Sequence, residues 1–171
     1  MYNSLSDIVK KADSIYKKCG TNDPFKIARE QKVNVIMCDF ERQKGAYNII
    51  AGNRFIYLKS DLPEYMMKIV LWHELGHDAL HRDTARKNHV FNEFNVFEMQ
   101  NNRMEYEANV FAAQIALPDD EMLFYIKQGY DIQQISSAMY SDINLVSLKN
   151  DILIEQGHHF RKHEHINTFL K

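Results

Sequence analysis

The sequence predicts an α+β domain: a small three-stranded sheet packed on helices, with further C-terminal helices. Two observations predict it. Short β-branched and aromatic runs are confined to residues 33–59, and helical periodicity fills the chain on both sides of them. The whole chain has 171 residues, with 45% apolar and 26% charged residues, the composition of an ordinary globular protein.

The elements follow in order. Leu5, Ile8, Val9, Ala12 and Ile15 recur at helical spacing, and Gly20 stands where that helix should stop. Asn22-Asp23-Pro24 reads as an N-cap followed by Pro in the first turn, opening a short helix through Arg29. Val33 to Cys38 is the first strand. AYNII and RFIYLK are the second and third, joined at Ala51-Gly52-Asn53, where Gly and Asn tolerate a hairpin's positive φ. Pro63 starts a long helix. Arg82 to Asn95 breaks the periodicity and reads as a loop. A second long helix covers about Asn101 to Ala116 and stops before Pro118. Asp119 or Asp120 is expected to cap the next helix, which ends at Gly129. Stretches near Ile132–Tyr140 and Ile143–Gln156 complete the helices.

Composition also excludes function classes. No apolar run approaches the roughly 20 residues of a membrane span, and the N-terminus lacks a signal-peptide core. Cys19 and Cys38 make no disulfide framework and have no metal-like spacing, which fits a reducing cytoplasmic location. The formal net charge of −2 argues against a basic nucleic-acid footprint. The faint helix-turn-helix look of the last two helices is not basic either. It reads as packing or partner docking, so direct nucleic-acid binding and membrane association are not expected.

One helix carries the chemistry. On a wheel centred on His73, the residues Met66, Ile69, Val70, Gly76, His77 and Leu80 all fall within about 60°. Two imidazoles thus sit in an apolar stripe, and an unsatisfied buried polar group costs on the order of a few kcal/mol. A metal ion satisfies both, because His at i and i+4 can ligate one zinc. Glu74 lies beside them, in reach of a water on the metal without itself being a ligand. This is the H-E-x-x-H arrangement, here His73-Glu74-Leu75-Gly76-His77. A chain this rich in His yields roughly 0.02 chance matches to its three fixed residues. Gly76 points the same way: a mid-helix glycine costs about 1 kcal/mol, so something should approach the backbone closely there.

A catalytic zinc usually takes a third protein ligand. The helix NNRMEYEANVFAAQIALP offers two candidates. Glu105 shares a face with Asn101, Ala108, Asn109, Ala112 and Ala116, small enough to pack closely on the metal helix. Glu107 points away, between Val110 and Phe111. Glu105 is the preferred ligand, Glu107 the fallback, and Asn109 a hydrogen-bonding support for a ligand. His81 fits a C-terminal cap or a similar supporting role. His89 has no special context. The tail cluster His158, His159, His163 and His165 reads as a solvated tail. Tyr106, Tyr57 and Arg103 are the candidate oxyanion donors, and Arg54–Lys59 is expected to be an open edge strand that a substrate could extend.

HELGHDALH, followed 28 residues after His77 by E-x-E-A-N-x-F-A-A and then LP, resembles the ImmA/IrrE metallopeptidases. The likeness spans about residues 5 to 130. It implies a zincin-like core over residues 1–130, followed by a helical extension and tail over 131–171. It implies zinc on His73, His77 and Glu105, with Glu74 as catalytic acid/base. Ile115-Ala116-Leu117-Pro118 departs mildly from the Leu-Leu-Met-Pro frequent in relatives. Many members serve phages and mobile elements, where they relieve repression by cleaving or otherwise inactivating a helix-turn-helix repressor. The expected function is therefore a site-specific zinc endopeptidase acting as an anti-repressor. The alternative is a regulatory protein of the same fold that acts by contact, without proteolysis.

Overall fold

The computed structural model describes residues 3–87 and 103–159. Helix α1 (Leu5–Cys19) opens with a reciprocal cap in which the Ser4 hydroxyl accepts from the Asp7 amide and the Asp7 carboxylate accepts from the Ser4 amide. It closes at Gly20, at φ 64°. In α2 (Pro24–Glu30), Asp23 caps the free amides of Phe25 and Lys26, as its place before Pro24 predicts.

Strands β1 (Asn34–Cys38), β2 (Gly45–Ile50) and β3 (Asn53–Lys59) form one sheet in the order β1-β3-β2. β3 pairs parallel with β1 and antiparallel with β2. Ala51 and Gly52 both have positive φ, giving a two-residue hairpin turn whose twist matches that of the strands. The expectation that Arg54–Lys59 forms an open edge is overturned. β3 is the central strand because β1 returns to lie beside it, a long-range pairing that no local pattern announces. The sheet's edges are β1 and β2. Tyr47, Ile56 and Leu58 are buried and belong to the core.

Helix α3 (Glu64–Leu80) carries the H-E-x-x-H motif, and α4 (Arg82–Lys87) follows it. The start of the stretch read as a loop is thus helical; the rest of it, His89 included, lies outside the described residues. Helix α5 (Arg103–Ala116) is almost wholly buried from Glu105 onward, because α1, α3 and α8 pack around it. Gly76 and Ala108 mark the closest approach: a Cβ on Gly76 would stand 2.9 Å from the Ala108 carbonyl oxygen. This is the close backbone contact that the mid-helix glycine predicts.

Helices α6 (Asp119–Lys127), α7 (Ile132–Ala138) and α8 (Ile143–Glu155) complete the described chain. Neither Asp119 nor Asp120 caps α6. Pro118 holds the N-cap position with no side-chain bond, and the Asp119 carboxylate instead takes the buried Lys149 ammonium and the Gln114 amide. Residues Leu145 to Asn150 of α8 are all buried, so this helix is packing surface. Its Leu145, Val146, Leu148, Ile152 and Leu153 share one apolar cluster with Ile8, Ala12, Leu71 and Phe111. Cys19 and Cys38 are free thiols. Among the described residues, no helix is long and apolar enough to cross a membrane.

Candidate metal centre

His73 and His77 stand one turn apart on α3, with Glu105 opposite them in the first turn of α5. All three are at most 1% exposed. One ligand atom from each lies within 4.8 Å of the others, so together they could hold a metal ion. His73 Nε2 is 3.1 Å from Glu105 Oε2 and 3.0 Å from His77 Nε2. Glu107, the fallback ligand, is not in this group.

The outer ring atoms decide where the protons lie. His73 Nδ1 is 2.9 Å from the Asn109 side-chain oxygen, which can only accept, so His73 carries its proton there. His77 Nδ1 is 3.0 Å from His81 Nδ1, and His81 Nε2 is 3.3 Å from a Glu107 oxygen. A carboxylate also only accepts. The consistent assignment has His81 Nε2–H donating to Glu107, leaving His81 Nδ1 to accept from His77 Nδ1–H. The two Nε2 lone pairs then face each other and the Glu105 carboxylate, whose Oε1 is 3.4 Å from His77 Nε2. Three electron-rich atoms converge in a buried site with no proton supplied between them in this neutral assignment. This donor set fits a divalent cation with borderline nitrogen and oxygen preferences.

The electrostatics agree. Burial alone would raise the Glu105 carboxyl, but His73 and His77 outweigh it and hold it below the ordinary carboxylate range. Burial pushes His77 down to about 4. Burial also opposes the His73 imidazolium, yet the adjacent Glu105 prevails and His73 ends above its ordinary value. The two histidines diverge because the adjacent carboxylate favours one positive charge beside it, and a bound cation would take that role.

Glu74 is fully buried, and among the described residues neither carboxylate oxygen has a hydrogen-bond partner. Burial pushes its carboxyl up to about 8. The start of β2 abuts it: a Cβ on Gly45 would lie 2.8 Å from Glu74 Oε1 and 2.5 Å from Val70 Cγ1. Only glycine lets the strand edge come this near the carboxylate. A carboxyl poised near neutrality beside a metal-ligand cluster is suited to accept and return a proton.

Two supports were not fully legible in the sequence. Glu107 is buried, not turned away, and receives Asn3 and Arg103 as well as His81. The wheel misplaces it because it counts the apolar neighbours Val110 and Phe111 and cannot see His81 arriving from another helix. Asp78 accepts from the Tyr47 hydroxyl at 2.8 Å, from Arg54 at 2.7 Å and from Arg82 at 3.0 Å, tying α3 to β2 and β3. Its i+1 position after His77 was the one available signal. Asn109 hydrogen-bonds the His73 ring and His81 the His77 ring, and His81 is also the C-cap residue of α3.

The proposed oxyanion donors fare differently. Arg103 is engaged with Glu107 and the Asn3 carbonyl, Tyr106 faces Asp151 and Glu155 of α8, and Tyr57 stacks on Phe55. His163 and His165 lie outside the described residues, while His158 and His159 follow α8 and are not part of the cluster.

Residues 28–145 match the model of the IrrE N-terminal-like domain, a peptidase family. The chain belongs to this family. It is 30% identical over 138 residues to a protein of Bacillus phage phi105 named uncharacterized immunity region protein 2, covering 80% of this chain and 84% of that one. It is 28% identical over 154 residues to metallopeptidase ImmA of Bacillus subtilis (strain 168), covering 87% and 85%. The resemblance drawn from HELGHDALH and E-x-E-A-N therefore holds at the level of the family, and the α+β fold with it.

Proposed function

We propose that this IrrE-like protein is a zinc-dependent, site-specific endopeptidase. The single observation that carries the reading is the burial of His73, His77 and Glu105 around one point beside an unpartnered Glu74. The two imidazoles and the carboxylate would hold zinc, which when bound supplies the Lewis acidity that acidifies a water and polarises a peptide carbonyl. Glu74 takes the water's proton on a carboxylate oxygen and passes it to the departing amine nitrogen. Asn109 and His81 hold the ligand rings so that both Nε2 atoms point inward. Gly45 keeps the edge strand close, so a substrate segment added along β2, not β3, would pass next to Glu74.

The proposed substrate is a helix-turn-helix repressor of a phage or mobile element, and the proposed site of action is the cytoplasm. A phage immunity-region protein and metallopeptidase ImmA among the relatives support that reading. The helices after residue 130 would form an extension on the peptidase core.

The test is to incubate the zinc-loaded protein with the repressor encoded nearest to it and to map products by mass spectrometry. Wild type should cut at one or a few bonds. Glu74→Gln should bind zinc equally and cut at least ~10³-fold more slowly, the scale of losing a general base plus its proton delivery. If derepression in cells survives Glu74→Gln, the protein acts by contact and the peptidase reading fails.

A further inference from the structure

Glu107 lies outside the metal cluster yet is 1% exposed. One oxygen accepts from the Asn3 amide at 3.2 Å and from Arg103 Nε at 3.1 Å. The other accepts from the Asn3 side-chain amide at 2.6 Å and faces His81 Nε2 at 3.3 Å. Arg103 also donates to the Asn3 carbonyl at 3.1 Å, closing the ring. A carboxylate is expensive to bury, and this one is surrounded by donors from the N-terminus, α5 and the end of α3.

We infer that Glu107, acting through His81, selects the His77 tautomer whose Nε2 is free to bind the metal. The inference rests on the zinc reading above. Two rings share one chain of hydrogen bonds, and the acceptor-only Glu107 at its outer end opposes the pull of Glu105, 3.4 Å from His77 Nε2 at the inner end. With a carboxylate there, the proton order is His77 Nδ1–H to His81 Nδ1, then His81 Nε2–H to Glu107. With a donor in its place the order reverses: His81 Nδ1–H donates to His77 Nδ1, and the His77 proton moves to Nε2, where the metal should sit. Glu107 is thus a positioning residue for a ligand two links away. Asn3, 104 residues distant in sequence, helps hold it, so the residue before the α1 cap would contribute to the metal site.

Glu107→Gln tests this, since the amide has the shape of the carboxylate and can donate. Zinc affinity is measured by competition with a chromophoric chelator, and the imidazole tautomers of the zinc-free protein by nitrogen-15 NMR. Glu107→Gln should weaken zinc about 10–100-fold, the usual scale for a lost outer support of a metal ligand. It should also shift His77 from the Nδ1–H to the Nε2–H form. Glu107→Asp, still acceptor-only, should recover part of the affinity. Zinc affinity equal to wild type in Glu107→Gln overturns the inference, as does a His77 Nε2–H tautomer in zinc-free wild type. The wild-type spectrum decides the matter even where the variant does not fold. Failure of wild type to bind zinc would instead sink the zinc reading itself, a distinct result.

Discussion

The side-chain oxygen of Asn109 accepts from His73 Nδ1 at 2.9 Å, both residues buried and one on each of the two central helices. This bond fixes the ring of a proposed metal ligand from the helix that also supplies the proposed carboxylate ligand. Asn109→Ala removes the acceptor and frees the ring to rotate or change tautomer. Zinc affinity should fall about 10–100-fold with little change in far-ultraviolet dichroism. Asn109→Asp keeps an acceptor and should bind zinc more tightly than the alanine variant. Chelator competition separates the three proteins; equal affinities would mean that the bond orients nothing.

Gly76 should tolerate no side chain. Alanine is the better helix former by about 1 kcal/mol, so an isolated helix would gain from Gly76→Ala. Here the added Cβ meets backbone, the Ala108 oxygen at 2.9 Å and its Cα at 3.0 Å, neither of which can swing aside. α3 and α5 must separate, and overpacking of this sort costs about 1–3 kcal/mol. The net change should be destabilising in urea unfolding. Zinc affinity should drop as well, because the ligands sit on both helices.

The same two helices show what could be read without coordinates. His73, His77 and Glu105 were legible because helical periodicity places each on a face, and the faces carry small residues where backbones meet. Asp23, Gly20 and Gly52 were legible because capping and left-handed turns depend on one or two neighbouring residues. The sheet order was not. β1 joins β3 across the hairpin, and nothing local distinguishes a central strand from an edge when both are short and β-branched. Glu107 failed for a related reason: its partners Asn3 and His81 come from other elements, and a helix wheel contains only its own residues.

Glu74 should make the zinc-free protein less stable as pH rises. Its carboxyl is pushed up to about 8 by burial, above the value near 4.5 expected in the unfolded chain. Between those limits the folded state holds a proton that the unfolded state has lost. Stability therefore falls with rising pH through this window. Gln in place of Glu mimics the protonated form and never ionises. Glu74→Gln should be close to wild type near pH 4.5 and more stable by roughly 1–3 kcal/mol at pH 8. Urea titrations at the two pH values measure it, and a variant less stable than wild type at pH 8 would contradict the burial account. If Glu74 is the proposed general acid and base, a buried carboxyl that weakens the fold it serves is the expected trade between activity and stability.

Lys149 gives a contrast between breaking a buried pair and replacing one. Its ammonium is 0% exposed, donates to the Gln114 side-chain oxygen at 2.5 Å and pairs with the Asp119 carboxylate. Burial drives the lysine below its ordinary value, and Asp119 opposes that shift. Removing the carboxylate leaves a buried charge with one neutral acceptor, so Asp119→Ala should destabilise by about 2–4 kcal/mol. Removing the charge costs far less. Lys149→Met fills similar volume, needs no partner and returns Asp119, 44% exposed at its side chain, to water. It should change stability by under about 1 kcal/mol, or raise it. The double variant should resemble Lys149→Met alone, because once the ammonium is gone the carboxylate has nothing left to neutralise. A double variant as unstable as Asp119→Ala would show instead that Asp119 acts on α6 directly, through its place in the first turn.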